Sequence, residues 1–215
     1  MCFQYGHTQF KSKVPQYMDK TGKSKSGILF VVSAPSGCGK STLVAKALAR
    51  LNNPAHTISR IVTYTTRQPR TGEINNQDYV FVHKDEFAAL QAANHFCEVT
   101  IYNDNLYGSP RAFLDRLPHG ESFIAITDRA GLAFYNKLCD AAICIWISPP
   151  SMEVLAQRLT ARGSETPESL RRRLDLAALE IEQEKSSPLC QYHIVNDNLE
   201  TATEELVEII EYNSN

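Results

Sequence analysis

Five apolar residues, 28–32, run directly into Ser33-Ala34-Pro35-Ser36-Gly37-Cys38-Gly39-Lys40-Ser41-Thr42, and a helical pattern follows over residues 40–51. An unbroken short apolar run reads as a strand buried on both faces, so the segment predicts strand, glycine-rich turn, helix. That is the setting a phosphate-binding loop requires. Gly37 and Gly39 let backbone N–H groups face a phosphate, and the helix N-terminus adds partial positive charge. Lys40 reaches the β- and γ-phosphates, and the Ser41 hydroxyl can ligate Mg²⁺. The G-x-x-x-x-G-K-[ST] pattern has Ala34 in place of its first glycine, which a negative φ at that residue would tolerate. The expected nucleoside triphosphate site is therefore Ala34, Pro35, Ser36, Gly37, Cys38, Gly39, Lys40, Ser41 and Thr42. The loop alone does not separate a kinase from a GTPase or an ATPase motor.

Downstream, further strands are expected near residues 123–127, 143–148 and 193–195, each followed by a helical pattern. Pro149, Pro150 and Ser151 open one of these helices and Asn198 another. This alternation predicts an α/β domain with a parallel central sheet between helical layers. The stretch from about residue 57 to 111 differs, with β-rich pieces at 60–66, 79–82, 96–100 and 106–108 and one short helix near 85–92. It reads as an inserted lobe. Thr166-Pro167-Glu168 carries helix-start chemistry after the turn at Arg162 and Gly163, which marks a small helical lid. The expected division is a basic tail over 1–26, a core over 27–59 and 112–215, a lobe over about 60–111 and a lid over about 158–173. At 215 residues one such domain buries a full core.

The acceptor side is carried by Thr63-Tyr64-Thr65-Thr66-Arg67-Gln68-Pro69-Arg70-Thr71-Gly72-Glu73, then Asp78-Tyr79, Phe96-Cys97-Glu98 and Tyr107-Gly108-Ser109. Arg67 and Arg70 can offer planar guanidinium forks to one phosphate monoester. Arg158 and Arg162, four apart on a helix, project toward one point. In order and approximate spacing these motifs resemble the guanylate kinase family, and the resemblance continues through Arg173 to Val195-Asn196-Asp197. It implies a phosphate-loop kinase fold with a GMP-binding lobe, transferring phosphate from ATP with Mg²⁺. By resemblance Arg67, Arg70, Tyr79 and Tyr107 hold the GMP phosphate, while Glu98, Ser109 and Thr63 read the guanine edge. Lys40, Arg158, Arg162 and Arg173 neutralise the migrating phosphoryl group, Arg173 being the inward member of Arg171-Arg172-Arg173, and Asn196 lies near adenine.

The family pattern has an Asp-x-Asp pair after the strand at 123–127, whereas this chain has Ile126-Thr127-Asp128. Asp128 alone remains to orient Mg²⁺ waters or the GMP site. Competing readings are a kinase of the same fold acting on another small phosphate such as ribose 1,5-bisphosphate, and a non-catalytic guanylate-kinase-like scaffold module. Glu98 together with the Thr65-Thr66-Arg67-Gln68-Pro69-Arg70-Thr71-Gly72-Glu73 string argues against the first, and the intact Gly39-Lys40-Ser41 against the second. A net charge of −2 argues against nucleic acid as partner. Six cysteines without CxxC spacing fit free thiols in a reducing compartment, and the sequence has neither a run of about 18 apolar residues nor a secretory leader pattern. The expectation is a cytoplasmic monomer or homodimer acting on GMP or dGMP and ATP.

Overall fold

The computed structural model describes residues 26–52, 57–102, 104–161 and 166–214. All of the expected tail except Ser26, and also Arg162, lie outside the described residues. In chain order the elements are β1 (Leu29–Ser33), α1 (Lys40–Leu51), β2 (Ile58–Arg60), β3 (Tyr64–Thr65), β4 (Val80–Phe81), α2 (Lys84–Ala92), β5 (Phe96–Tyr102) and β6 (Asn105–Pro110). There follow α3 (Phe113–Arg116), β7 (Ser122–Thr127), α4 (Arg129–Leu138), β8 (Ile143–Ser148), α5 (Met152–Thr160), α6 (Pro167–Ser186), β9 (Tyr192–Val195) and α7 (Leu199–Ser214).

Five strands form a parallel sheet in the order β2-β7-β1-β8-β9, with β1 at its centre. All five residues of β1 are buried, as a central parallel strand requires. Successive side chains of β1 point to opposite faces, so Phe30 and Val32 join one core cluster while Leu29 and Val31 join the other. On the first face α1 and α7 cover the sheet through Leu43, Val44, Ala47, Leu206 and Ile210. On the second, Phe113, Leu132 and Tyr135 of α3 and α4 pack against Phe123 and Trp146. Three layers result. Truncating a side chain as enclosed as Leu43 to alanine costs about 2–5 kcal/mol, since it leaves a cavity as well as losing transfer energy.

β1 has β7 on one side and β8 on the other, so the chain reverses direction across the sheet at β1. The crevice beyond the strand ends at such a switch point is where open α/β sheets bind ligands. The β-rich piece at 60–66 is divided: its start belongs to β2 of the parallel sheet, and its end is β3 of a separate four-stranded sheet, β4-β3-β6-β5. The second sheet overhangs the crevice. It rests on Phe87 of α2, whose ring stacks on Phe96 at 4.6 Å between centroids. Among the described residues no helix is long and apolar enough to cross a membrane.

Candidate functional site

The phosphate loop joins β1 to α1 with Gly37 at φ 97° and Gly39 at φ 87°, conformations that side chains with a Cβ rarely adopt. Gly39 occupies the N-cap of α1 and makes no side-chain cap, and the first turn holds no acid. By contrast α4, α5 and α6 are capped by Asp128, Ser151 and Thr166. The first-turn amides of α1 are thus left for an anion, which the helix dipole also favours. Lys40 turns back over the loop, its ammonium donating to the carbonyls of Ala34 and Pro35. Ser41 is half-buried and Thr42 exposed.

The loop is supported from below. Asn196, 4% exposed, donates its amide to the Cys38 carbonyl at 2.7 Å, and its own N–H reaches Ser148 O at 2.9 Å. Arg158 of α5 donates to Asn196 O at 2.9 Å. Its other terminal nitrogen, Nη1, is buried without a hydrogen-bond partner among the described residues. Asn196, expected near a base, also braces the phosphate loop, a contact with no local sequence signal.

Across the crevice, β5 and β6 form a hairpin in which Glu98 lies directly opposite Ser109, and a register shift between Phe96 and Glu98 re-aims the strand. Ser109 Oγ donates to Glu98 Oε2 at 2.9 Å, while Oε1, on the side of the Thr100 hydroxyl, makes no hydrogen bond of ordinary length among the described residues. Burial pushes the Glu98 carboxyl up to about 7, against the Ser109 bond and with a further push from the charge of Asp128. A carboxylate with one orphaned oxygen in a cleft wall is an acceptor awaiting a donor.

Arg67 is held as a fork on Glu73, with Nη2 to Oε1 at 2.8 Å and Nη1 to Oε2 at 3.0 Å. Its guanidinium lies 5.3 Å from the Tyr79 ring centroid, and Tyr79 meets Tyr107 edge to face at 6.0 Å. Glu73 Oε2 also accepts from Arg70 N at 2.7 Å, so a single carboxylate sets both ends of the Arg67–Arg70 turn. The bond to Arg67, working against burial, holds the Glu73 carboxyl below the usual range.

Between the two walls is an open cleft of ≈ 690 Å³. It is lined by Ala34, Ser36 and Lys40 from the loop, by Thr63, Arg67, Arg70, Tyr79, Glu98, Tyr107 and Ser109 from the lobe, and by Asp128 from the end of β7. Thr100, Tyr102, Ile126 and Thr127 complete the lining. Thr100 and Tyr102 stand two and four residues after Glu98, and the period of a strand puts all three on one face. Tyr102 meets the hydroxyl of Ser36, and burial raises its phenol well above its ordinary range. Asp128 caps α4 through Oδ1, which accepts from Gly131 N at 2.8 Å.

Helix α6 buries Arg173, Ala177, Glu180 and Glu184, a face of charges where an ordinary surface helix buries an apolar stripe. Of the three consecutive arginines, 171 and 172 are exposed and Arg173 is 9% exposed. Glu180 has a buried oxygen, Oε2, without a hydrogen-bond partner among the described residues, and burial pushes its carboxyl up to about 7 against the attraction of Lys40. Seven residues separate Arg173 from Glu180, about two helical turns, so the period of 3.6 already placed them on one face.

The guanylate kinase family model matches residues 26–213 of the chain. A guanylate kinase from Protochlamydia amoebophila (strain UWE25) is 38% identical over 190 residues, covering 88% of this chain and 92% of that protein. One from Neisseria gonorrhoeae (strain ATCC 700825 / FA 1090) is 40% identical over 187 residues, covering 86% and 88%. The crystal structure of guanylate kinase from Anaplasma phagocytophilum superposes with a TM-score of 0.70 at 28% identity, covering 88% of this chain and 87% of that one. With a family model spanning the whole described fold, and a phosphate loop facing an arginine-rich lobe across one cleft, the chain belongs to the guanylate kinase family.

Proposed function

We propose that this chain transfers the γ-phosphoryl group of ATP to GMP, giving ADP and GDP. The single observation that carries the choice of acceptor is Glu98, buried in the cleft wall, with one oxygen held by Ser109 and the other without a hydrogen bond of ordinary length among the described residues. Guanine offers N1–H and a 2-amino group to such a carboxylate, and adenine offers neither at those positions. A sugar phosphate has hydroxyl donors but no planar pair of N–H groups matched to the carboxylate edge.

In this reading Thr63 and Ser109 complete the guanine contact, and Arg67, Arg70, Tyr79 and Tyr107 grip the acceptor phosphate. Glu73 keeps Arg67 aimed before substrate arrives. The amides of residues 36–42 cradle the donor phosphates, and Lys40 leaves the Ala34 and Pro35 carbonyls to meet them. Arg158, Arg162 and Arg173 surround the migrating phosphoryl group, whose transition state spreads negative charge over its oxygens. The adenine end of ATP lies toward Asn196. The oxygens of Ser41, Asp128 and Glu180 are the donor type that a hard cation takes, with Ser41 holding Mg²⁺ and Asp128 ordering its waters. No group of three or more His, Cys, Asp or Glu among the described residues gathers into a protein-only cage, in keeping with an ion that retains several waters. When bound, Mg²⁺ neutralises charge on the β- and γ-phosphates. A cytoplasmic monomer or homodimer acting on GMP, dGMP and ATP, without nucleic acid or membrane, is the setting this implies.

Calorimetric titration of the ligand-free protein tests the acceptor choice. GMP should bind at least about a hundredfold more tightly than AMP, a gap of about 2.7 kcal/mol. Equal affinities would contradict the role of Glu98.

A second expectation concerns Asp128, left without its usual acidic neighbour by Ile126. Asparagine caps a helix as well as aspartate does, so Asp128→Asn keeps the bond to Gly131 N and removes only the charge. Thermal unfolding should stay within a few degrees, while kcat/KM for GMP drops more than about tenfold. Ile126→Asp should change kcat/KM less. The opposite ranking would mean that residue 126 faces the reacting groups more closely than Asp128 does.

A further inference from the structure

The charged inner face of α6 ends in a junction that neither the phosphate chemistry nor the acceptor site uses. Arg129 follows Asp128 directly and reaches across to the last turn of α6. Its Nη1 pairs with Glu184, and Nη2 donates to Gln183 O at 3.0 Å and Ser187 O at 2.7 Å. Gln183 O also accepts from Ser187 N at 2.9 Å, and the negative end of the helix dipole favours a cation here. Glu184 is 2% exposed at its side chain. Its Oε1 accepts from Leu189 N at 3.1 Å and Cys190 N at 3.0 Å, with His193 Nε2 at 3.2 Å. Both oxygens have partners, which makes Glu184 a joint between α4, α6 and β9.

We propose that Arg129 is a positioning residue: by locking the foot of α6 to the cleft wall at Asp128, it sets where Arg173 stands. Arg173 lies eleven residues up the helix from Glu184, about 16 Å at 1.5 Å per residue. Between the two, the fully buried residues of the helix are Ala177 and Glu180. Leu170, Leu174 and Ile181 pack only partly buried against the cores. Packing on α5 holds the helix against the domain, and its ionic foot fixes how the charged inner face lies along the cleft. Glu180, one turn above the joint, feels the charges of Lys40, Asp128 and Arg129, so the same face runs from the joint into the cleft. The proposal rests on the reading that Arg173 acts on the transferred phosphoryl group.

Arg129→Met would leave Glu184 buried and uncompensated, and such a variant can fail to fold. Arg129→Lys is the informative change, because it keeps a cation beside Glu184 and loses the fork onto Gln183 and Ser187. Hydrogen exchange of the backbone amides of α6 around Arg173 should quicken about tenfold, with those of β1, β7 and β8 unchanged. In steady-state assays kcat should fall about five- to tenfold, with KM for GMP and ATP held within about twofold. With Arg173→Ala already in place, Arg129→Lys should cost less than about twofold more, because residues acting through one another are not additive. Unchanged α6 exchange overturns the proposal, as does a loss confined to KM for GMP or fully additive costs. If Arg173→Ala leaves kcat intact while α6 exchange still responds to Arg129→Lys, the role given to Arg173 fails and the joint stands.

Discussion

Lys40→Ala lowers kcat at least about a hundredfold while the melting temperature moves by only a few degrees, as expected when a major transition-state charge is removed. The physical case lies in what Lys40 does without ligand. Its ammonium is half-buried and donates to the Ala34 and Pro35 carbonyls, contacts that close a loop also held by Asn196 through Cys38 O. Losing two such contacts at a partly solvated site costs about 1 kcal/mol or less. The same ammonium facing β- and γ-phosphates stabilises charge that grows only during transfer. Differential scanning calorimetry and initial-rate kinetics on one preparation separate the two effects. Near-normal turnover would remove Lys40 from the chemistry.

Glu98→Gln should lower kcat/KM for GMP by about 2–4 kcal/mol, roughly 30- to 1000-fold, with ATP affinity hardly changed. The amide sets a donor against a donor in a pocket where Ser109 already holds the other oxygen. AMP should be hurt far less or slightly helped, since its unprotonated N1 could accept from the new amide. The pH dependence carries a definite sign. With the carboxyl raised to about 7, chiefly by burial, the ligand-free site is protonated below that pH and cannot accept two donors. Affinity for GMP therefore climbs from about pH 6 to pH 8. The acceptor phosphate itself titrates near 6, so the decisive quantity is the parent slope minus the Glu98→Gln slope. Stability runs the other way. Between the ordinary carboxyl value of 4.5 and about 7 the folded state binds the extra proton, so Glu98 makes the ligand-free fold lose stability as pH rises through that window. Glu98→Gln should flatten this decline in a urea-melt series, and an unchanged profile would contradict the assignment.

The phosphate loop is legible because its parts are neighbours in sequence: strand, glycines, lysine and helix specify one another locally. Arg173 is separable from Arg171 and Arg172 by helical period together with the family motif. The same period extended to Glu180, and the strand period extended from Glu98 to Thr100 and Tyr102, hold information that motif matching passes over. Other features have no local signature. The shift between Phe96 and Glu98 that aims the carboxylate depends on hairpin pairing, and the bond from Asn196 to Cys38 O spans 158 residues. Glu73 stands in the acceptor motif, yet its grip on Arg67 emerges only when the turn closes. The division of residues 60–66 between two sheets reflects tertiary pairing: β2 takes β7 as partner, and β3 takes β6.

The central claim, phosphoryl transfer from ATP to a guanine nucleotide, is tested most directly by coupled measurement of ADP release with GMP, dGMP, AMP, UMP and ribose 1,5-bisphosphate as acceptors. The account predicts that kcat/KM for GMP exceeds that for AMP and UMP by at least about a hundredfold, because only guanine presents two adjacent N–H donors to the buried carboxylate. It predicts no measurable transfer to the sugar bisphosphate. Preference for AMP or ribose 1,5-bisphosphate, or no ADP release with any acceptor, would contradict it.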